Sequence, residues 1–339
     1  MAKSILGVDI GYNSLKLALV KNGKVKKSAI LPMPKNLMRQ GRIVSPESMG
    51  EMIRKAMKQN GIHCNRAALV LPNETVFIRN VVMPVMTVDQ LKYNLPFEFR
   101  DYITDELKNY IFDYAMITPA AELRAAPKNE KREQVGQSME LMAVGAPVSV
   151  IEDARAFFRK AGMKLVKAAP TVSCYQALIR ARLGKGGPAE DYCVLDLGYQ
   201  AIRMYMFRGD QHIVTRELEL GLSSLISAIA EAAGVDEHLA HTYLLENYED
   251  WQNNPVCLNA YESISVELMR AMNFYRFSNP DSHLEDIFLV GGGSMIRPLR
   301  KAIEDTVGMR IHSPAELVPG GMKINACHVL VQAIGVTMN

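Results

Sequence analysis

The sequence has little that would staple or anchor a chain from outside its own core. Its five cysteines, Cys64, Cys174, Cys193, Cys257 and Cys327, lie far apart with no CxxC pair. An odd, dispersed set argues against a disulfide framework or a zinc site and fits a reducing compartment. No stretch approaches the ~20 apolar residues of a membrane helix. The opening run to Ile10 is too short for a leader and carries Asp9. The segment from Cys327 to Asn339 has no basic face, so no amphipathic anchor is expected there. Charge of one sign is also lacking. The net charge is +3, too weak and too scattered to suggest nucleic acid. The seven histidines are dispersed. The closest pair, His238 and His241, is spaced i, i+3 and reads as a surface helix face rather than a metal site. No Ser-His-Asp or Cys-His arrangement can be assembled.

What is present is a chain of 339 residues, 48% hydrophobic, long enough to bury roughly 75% of its unfolded surface. Strands are expected at 4–10, 15–21, 25–31, 67–71, 76–83, 110–117, 139–145, 164–168, from Tyr192 and at 287–290. Helices are expected after Ser45 to a left-handed cap at Gly61, at 148–161, 172–183, 222–233, after Asp236, along the stripe Tyr261 to Tyr275, at 297–307 and near 329–336. Thr87 with Gln90 forms a capping-box pattern, and Pro96 should interrupt the helix it opens. The polar stretch 118–137 reads as a hairpin loop, and 184–188 as a linker. Alternating strands and helices in both halves argue for an α/β fold with mixed sheets.

The strongest pattern is internal. Val8-Asp9-Ile10-Gly11-Tyr12-Asn13-Ser14-Leu15-Lys16-Leu17 aligns with Leu195-Asp196-Leu197-Gly198-Tyr199-Gln200-Ala201-Ile202-Arg203-Met204. Each block opens its half and reads as strand, tight turn, strand; duplication is the simplest explanation. An Asp between apolar strand residues is costly unless its charge is met. Two at equivalent places suggest a shared cation or proton-accepting role. The glycines permit backbone that other residues avoid, and such turns aim N–H groups that can hold phosphate oxygens. A third block, Phe288-Leu289-Val290 into Gly291-Gly292-Gly293-Ser294 and then helix, can take a nucleoside or phosphate.

These blocks resemble the phosphate-1, phosphate-2 and adenosine motifs of the actin superfamily. Met83-Pro84, Leu91 through Ile103, Arg270 to Tyr275 and Ala333-Ile334-Gly335 narrow the resemblance to the PilM family and its relative FtsA. The resemblance implies an actin-like (ribonuclease H-like) duplicated fold with a small inserted 1C-type subdomain. Its divisions would be 1–79 (1A), 80–168 (1C), 169–188 (return to 1A and linker) and 189–339 (2A, with 2B about 222–280). It implies ATP with Mg in the cleft, held through Asp9, Gly11, Asn13, Ser14, Lys16, Asp196, Gly198, Gln200, Gly291, Gly292 and Gly293, with Asp9 and Asp196 toward the metal. It further implies a cytoplasmic assembly scaffold of a type IV pilus or a related secretion or competence system. That scaffold would be peripheral at the inner membrane, docked on the N-terminal tail of a PilN-like protein through a groove involving 76–102. Direct membrane insertion is not expected.

The sequence departs from the superfamily pattern in ways that point to weak or lost nucleotide binding. Tyr12 and Tyr199 stand where the motif has small or hydroxyl residues, and Ile202 replaces a phosphate-contacting Thr. Leu239 to Leu244 lacks the Glu and Lys expected to meet the nucleoside. Glu217 and Glu219 are candidates to orient a water, so at most a weak ATPase is expected. A small-molecule kinase and an FtsA-like filament protein stay open as alternatives. The first lacks a convincing catalytic Asp and the second lacks its terminal helix.

Overall fold

The computed structural model describes residues 4–34, 36–39, 42–117, 138–183 and 190–338. The expected loop at 118–137 and linker at 184–188 lie outside them. The first half opens with β1 (Ile5–Ile10), β2 (Ser14–Lys21) and β3 (Lys24–Pro32). A short hairpin β4 (Met38–Arg39) and β5 (Arg42–Ile43), helix α1 (Pro46–Gln59) and β6 (Arg66–Leu71) follow. Asn22 and Gly23 both sit at positive φ, the backbone a tight two-residue hairpin turn requires. Ser45 caps α1 by accepting the Ser48 N–H, and Gly61 closes it at φ 58 as expected.

An inserted antiparallel sheet comes next: β7 (Phe77–Pro84), α2 (Val88–Asn94), β8 (Tyr110–Met116) and β9 (Ser138–Pro147), in the order β7-β9-β8. Thr87 and Gln90 make the full reciprocal capping box, and α2 gives way to a 3-10 turn at Leu95–Phe99 around Pro96. Helix α3 (Val148–Lys160), β10 (Lys164–Pro170) and α4 (Thr171–Leu183) complete the first half.

The second half repeats the plan. Strands β11 (Asp191–Leu197), β12 (Ile202–Arg208) and β13 (Gln211–Leu218) lead through α5 (Leu222–Ala233), α6 (Glu237–Glu246) and α7 (Pro255–Ser278). Then come β14 (Asp286–Val290), α8 (Arg297–Val307), β15 (Arg310–His312) and α9 (Cys327–Gly335). The sheet orders are β3-β2-β1-β6-β10 and β13-β12-β11-β14-β15, with the first three strands antiparallel and the last two parallel to the opening strand in both. The duplication seen in ten residues thus extends through whole sheets.

Each sheet has its own apolar layer. A further core closes the seam between the halves: α4 and α9 lie there, with Tyr175, Leu178, Leu330 and Ala333 packed against Ala18 of β2 and Tyr205 and Phe207 of β12. The last helix approaches β1 so closely that a Cβ on Gly7 would lie 1.7 Å from the Ala333 carbonyl oxygen. This seam sets the two opening hairpins opposite each other.

Candidate functional site

Hairpin register decides what each buried Asp meets first. Asp9 stands across from Lys16, and Asp196 across from Arg203. Both carboxylates are buried, at 7% and 9% exposure. In the first copy the cross-strand pair closes: Lys16 Nζ lies 2.8 Å from Asp9 Oδ2. Burial pulls the Lys16 ammonium down, but the charge and hydrogen bond of Asp9 outweigh it, so its pKa ends raised. In the second copy the register partner turns away. Arg203 reaches across to Glu74 at 2.5 Å and binds Glu217 at 2.8 Å. Asp196 Oδ2 instead accepts from Tyr175 Oη at 3.1 Å and Gln332 Nε2 at 2.7 Å, the donors coming from α4 and α9.

The two hairpins share one electrostatic neighbourhood. Burial raises the Asp196 pKa, Lys16 and Arg203 oppose that rise, and Asp9 adds to it. Lys16 in turn feels Asp196. Polar contacts bridge the halves: Asn13 Nδ2 lies 3.0 Å from His241 Nε2 on α6, and Asn73 Nδ2 donates to Tyr205 Oη at 2.5 Å.

The glycines work by closeness. A Cβ on Gly11 would sit 3.2 Å from Lys16 Nζ. A Cβ on Gly291, whose φ is +85, would meet Asp196 Oδ1 at 2.5 Å. The third motif therefore packs directly on the second Asp, and the Gly291 N–H donates to the His328 carbonyl. Between this motif and its helix, Gly292–Met295 forms a 3-10 turn, and α8 begins at Arg297 as expected, where Pro298 favours a helix start. Around Gly198, the N–H groups of Leu222 and Ser223 at the start of α5 donate to the carbonyls of Gly198 and Tyr199.

The structure brings together Asp9, Gly11, Asn13, Lys16, Asp196, Gly198 and Gly291 to Gly293. Ser14 starts β2 half-buried, while Gln200 is exposed. Tyr12 feels the charges of Glu74 and Arg203, so it lines the gap. Tyr199 packs on the second core, its ring edge-on to His241 at 6.4 Å. Glu217 is engaged with Arg203, and Glu219 is exposed. Sequence reasoning missed Tyr175, Gln332, Glu74, Asn73 and the role of His241. A polar Gln332 inside the apolar α9 was the readable hint. The groove residues Met83, Leu91 and Leu95 are buried in the insert's own core, with Met86 packed against it. Val82, Val88, Tyr93, Phe97 and Tyr102 of the same stretch are exposed instead. A separate apolar pocket of about 130 Å³ is lined by Ile10, Met38, Ile43, Leu69 and Phe157 with Arg42 and Asp153, none of them within 76–102.

A family model described as "Type IV pilus assembly protein PilM" matches residues 7–319. The chain belongs to the PilM family. Its fold is similar to that of a "PilM-PilN type IV pilus biogenesis complex" chain, with a TM-score of 0.82, 23% identity, and 98% of this chain and 97% of that one covered. It is also similar to the ethanolamine utilization protein EutJ of Carboxydothermus hydrogenoformans, at TM-score 0.58, 12% identity and 98% and 88% coverage. MreB5 of Spiroplasma citri, in a structure bound to ADP, matches at TM-score 0.51, 8% identity and 99% and 95% coverage. The actin-like duplicated α/β fold expected from the sequence is the observed one. Among the described residues no cluster of three His, Cys, Asp or Glu could cage a metal by itself. Mg²⁺ needs less, because it keeps several waters and takes one or two carboxylates plus substrate phosphates. Two buried carboxylates, Lys16 and the glycine turns are chemically compatible with that requirement.

Proposed function

We propose that this chain is a cytoplasmic scaffold of type IV pilus assembly, with a weakly binding Mg-ATP cleft. It would be held at the inner membrane by the N-terminal tail of a PilN-like protein. In the cleft, Lys16 and the turns at Gly11–Ser14 and Gly198–Gln200 receive the phosphates. Asp9 and Asp196 would hold the metal through its waters, and Gly291–Gly293 would border the nucleoside. Mg²⁺ would neutralise phosphate charge. A cavity of about 300 Å³ beside the third motif, lined by Ser294, Met295, Arg300 and His328, supports a place for the base. The tail would sit along residues 76–102, where Val82, Val88, Tyr93, Phe97 and Tyr102 present exposed apolar surface.

The observation carrying this reading is that the cleft's polar groups already satisfy one another: Lys16 with Asp9, and Asn13 with His241. A nucleotide has to displace those bonds, and each hydrogen bond to a charged group contributes about 1.5–3 kcal/mol. Calorimetric titration with Mg-ATP is expected to give affinity weaker than micromolar. Micromolar or tighter binding by the unaltered chain, abolished by Asp9→Ala, overturns the weak-cleft reading. A pull-down with a PilN-like tail peptide is expected to retain the chain and to lose it on Tyr93→Glu, an exposed position within 76–102, with an unchanged thermal midpoint.

A further inference from the structure

The two halves differ sharply at the edge away from the cleft, where the parallel strands begin. In the first half β1, β6 and β10 start there, the β2–β3 hairpin turns there, and α1 and α3 end there. Lys27 Nζ donates to the Gly61 carbonyl at 2.5 Å, and the Lys164 N–H donates to the Asn65 carbonyl at 2.9 Å. Three stretches, 19–30, 54–66 and 159–164, therefore meet on one edge, and none contains an Asp or Glu. Lys160 reaches Glu51 at 3.3 Å. Among the described residues no ion pair engages Lys21, Lys24, Lys26, Lys58, Arg159 or Lys164, all exposed. At the same edge of the second half, cations meet acids: Arg208 with Asp191, Arg310 with Asp286, and Arg180 of the neighbouring α4 with Asp210. The fold itself thus does not require bare cations there. The net charge of +3, read from the sequence as scattered, conceals this separation.

We propose that this lysine-rich edge docks on a bilayer surface carrying anionic phospholipids. Crowded like charges repel one another, and an opposing anionic surface relieves that repulsion. Polybasic clusters gain from an anionic leaflet without any inserted residue. Lysine, a hydrated point charge, predominates over arginine here, and no Phe, Tyr or Trp lies in the three stretches. Nucleic acid would call for stacking platforms or arginine forks. This contact is separate from a tether through a partner's tail, and a test on the chain alone lets the two ideas fail independently.

The test is flotation of the full chain with vesicles of phosphatidylcholine alone, or of phosphatidylcholine and phosphatidylglycerol in equal parts. The expected result is binding to the anionic vesicles only, falling as salt is raised because the screening length shortens. Combining Lys21→Glu, Lys24→Glu, Lys26→Glu and Lys58→Glu is expected to weaken partition about a thousandfold or more. The matching Lys→Arg set keeps it, and equal thermal midpoints verify folding. Equal binding to both vesicle types overturns the proposal. So does undiminished binding of the Glu variant, or retention on DNA or RNA with none on vesicles.

Discussion

The two opening hairpins share backbone, register and a buried Asp, yet they satisfy that Asp by different chemistry. The first copy pairs Asp9 with a cation of its own hairpin. The second holds Asp196 with a phenol and an amide from the seam helices and sends its own cation, Arg203, across the gap. Duplication therefore preserved the acid and the turn while the partners were exchanged. The consequence is functional. Asp9 belongs to a local ion pair, whereas Asp196 is tied to α4 and α9, the elements that join the halves.

The largest expected effect breaks the comparison at the strand before each Asp. Gly7 in β1 occupies the place of Val194 in β11, because α9 presses on the first sheet. Gly7→Ala forces a methyl into the Ala333 carbonyl and is expected to cost about 3 kcal/mol or more. Val194→Ala leaves a small void and costs roughly 2 kcal/mol. Urea unfolding midpoints measure both, and the order should not invert.

Matched Asp→Asn changes sharpen the contrast further. Asp9→Asn strands a buried Lys16 and is expected to lose about 3 kcal/mol at neutral pH. Asp196→Asn keeps an oxygen for Tyr175 and Gln332 and removes a carboxylate that burial disfavours. The folded-state pKa of Asp196 is raised, so the native state holds its proton more tightly than the unfolded chain. Its penalty is absent below the unfolded carboxylate pKa and grows as pH rises through the raised value. Asp196→Asn is therefore expected to leave stability equal or higher at pH 7, with the difference vanishing in acid. Thermal midpoints across pH check this.

The local elements were legible because their causes are local. The Thr87–Gln90 box, Pro96 and the left-handed glycines at Gly61 and Gly234 act within a few residues, and the alignment of Asp9 with Asp196 was plain in the sequence. What the sequence could not show is which distant donor reaches each acid. Tyr175 and Gln332 look like core positions until α4 and α9 are packed. Likewise Lys16 and Arg203 align, but only the three-dimensional gap sends Arg203 toward Glu74. The three-residue strand β15 is too short to carry a period, and α7 begins at Pro255, before the stripe from Tyr261 that announced it.

A smaller difference separates the third strands. Val25 in β3 is replaced in β13 by His212, buried beneath Phe207. Burial holds this imidazole down to about 4; its Nε2 meets Thr215 Oγ1 at 2.9 Å, and among the described residues its Nδ1 finds no hydrogen-bond partner. A depressed histidine pKa means the unfolded chain binds the extra proton first. Stability is then full above the ordinary histidine range and falls as pH drops toward 4. His212→Phe is expected to remove roughly 2 kcal/mol of the loss between pH 7 and pH 4. Acid-titrated unfolding of the two proteins gives the comparison directly.

The smallest expected effect lies at the turn tips. Asn13 crosses the gap to His241, while its counterpart Gln200 is exposed. Asn13→Ala removes a half-buried bond and is expected to cost about 1 kcal/mol, with Gln200→Ala near zero. Burial, with some help from His238, keeps the His241 pKa low, so a neutral ring meets the Asn13 amide. The Asn13→Ala cost should therefore persist unchanged from neutral to mildly alkaline pH. If His241→Ala alone costs as much as Asn13→Ala, and the double variant costs no more than either, the two side chains form one clasp. Additive losses would instead assign each its own separate partner, and the asymmetry between the turns would disappear.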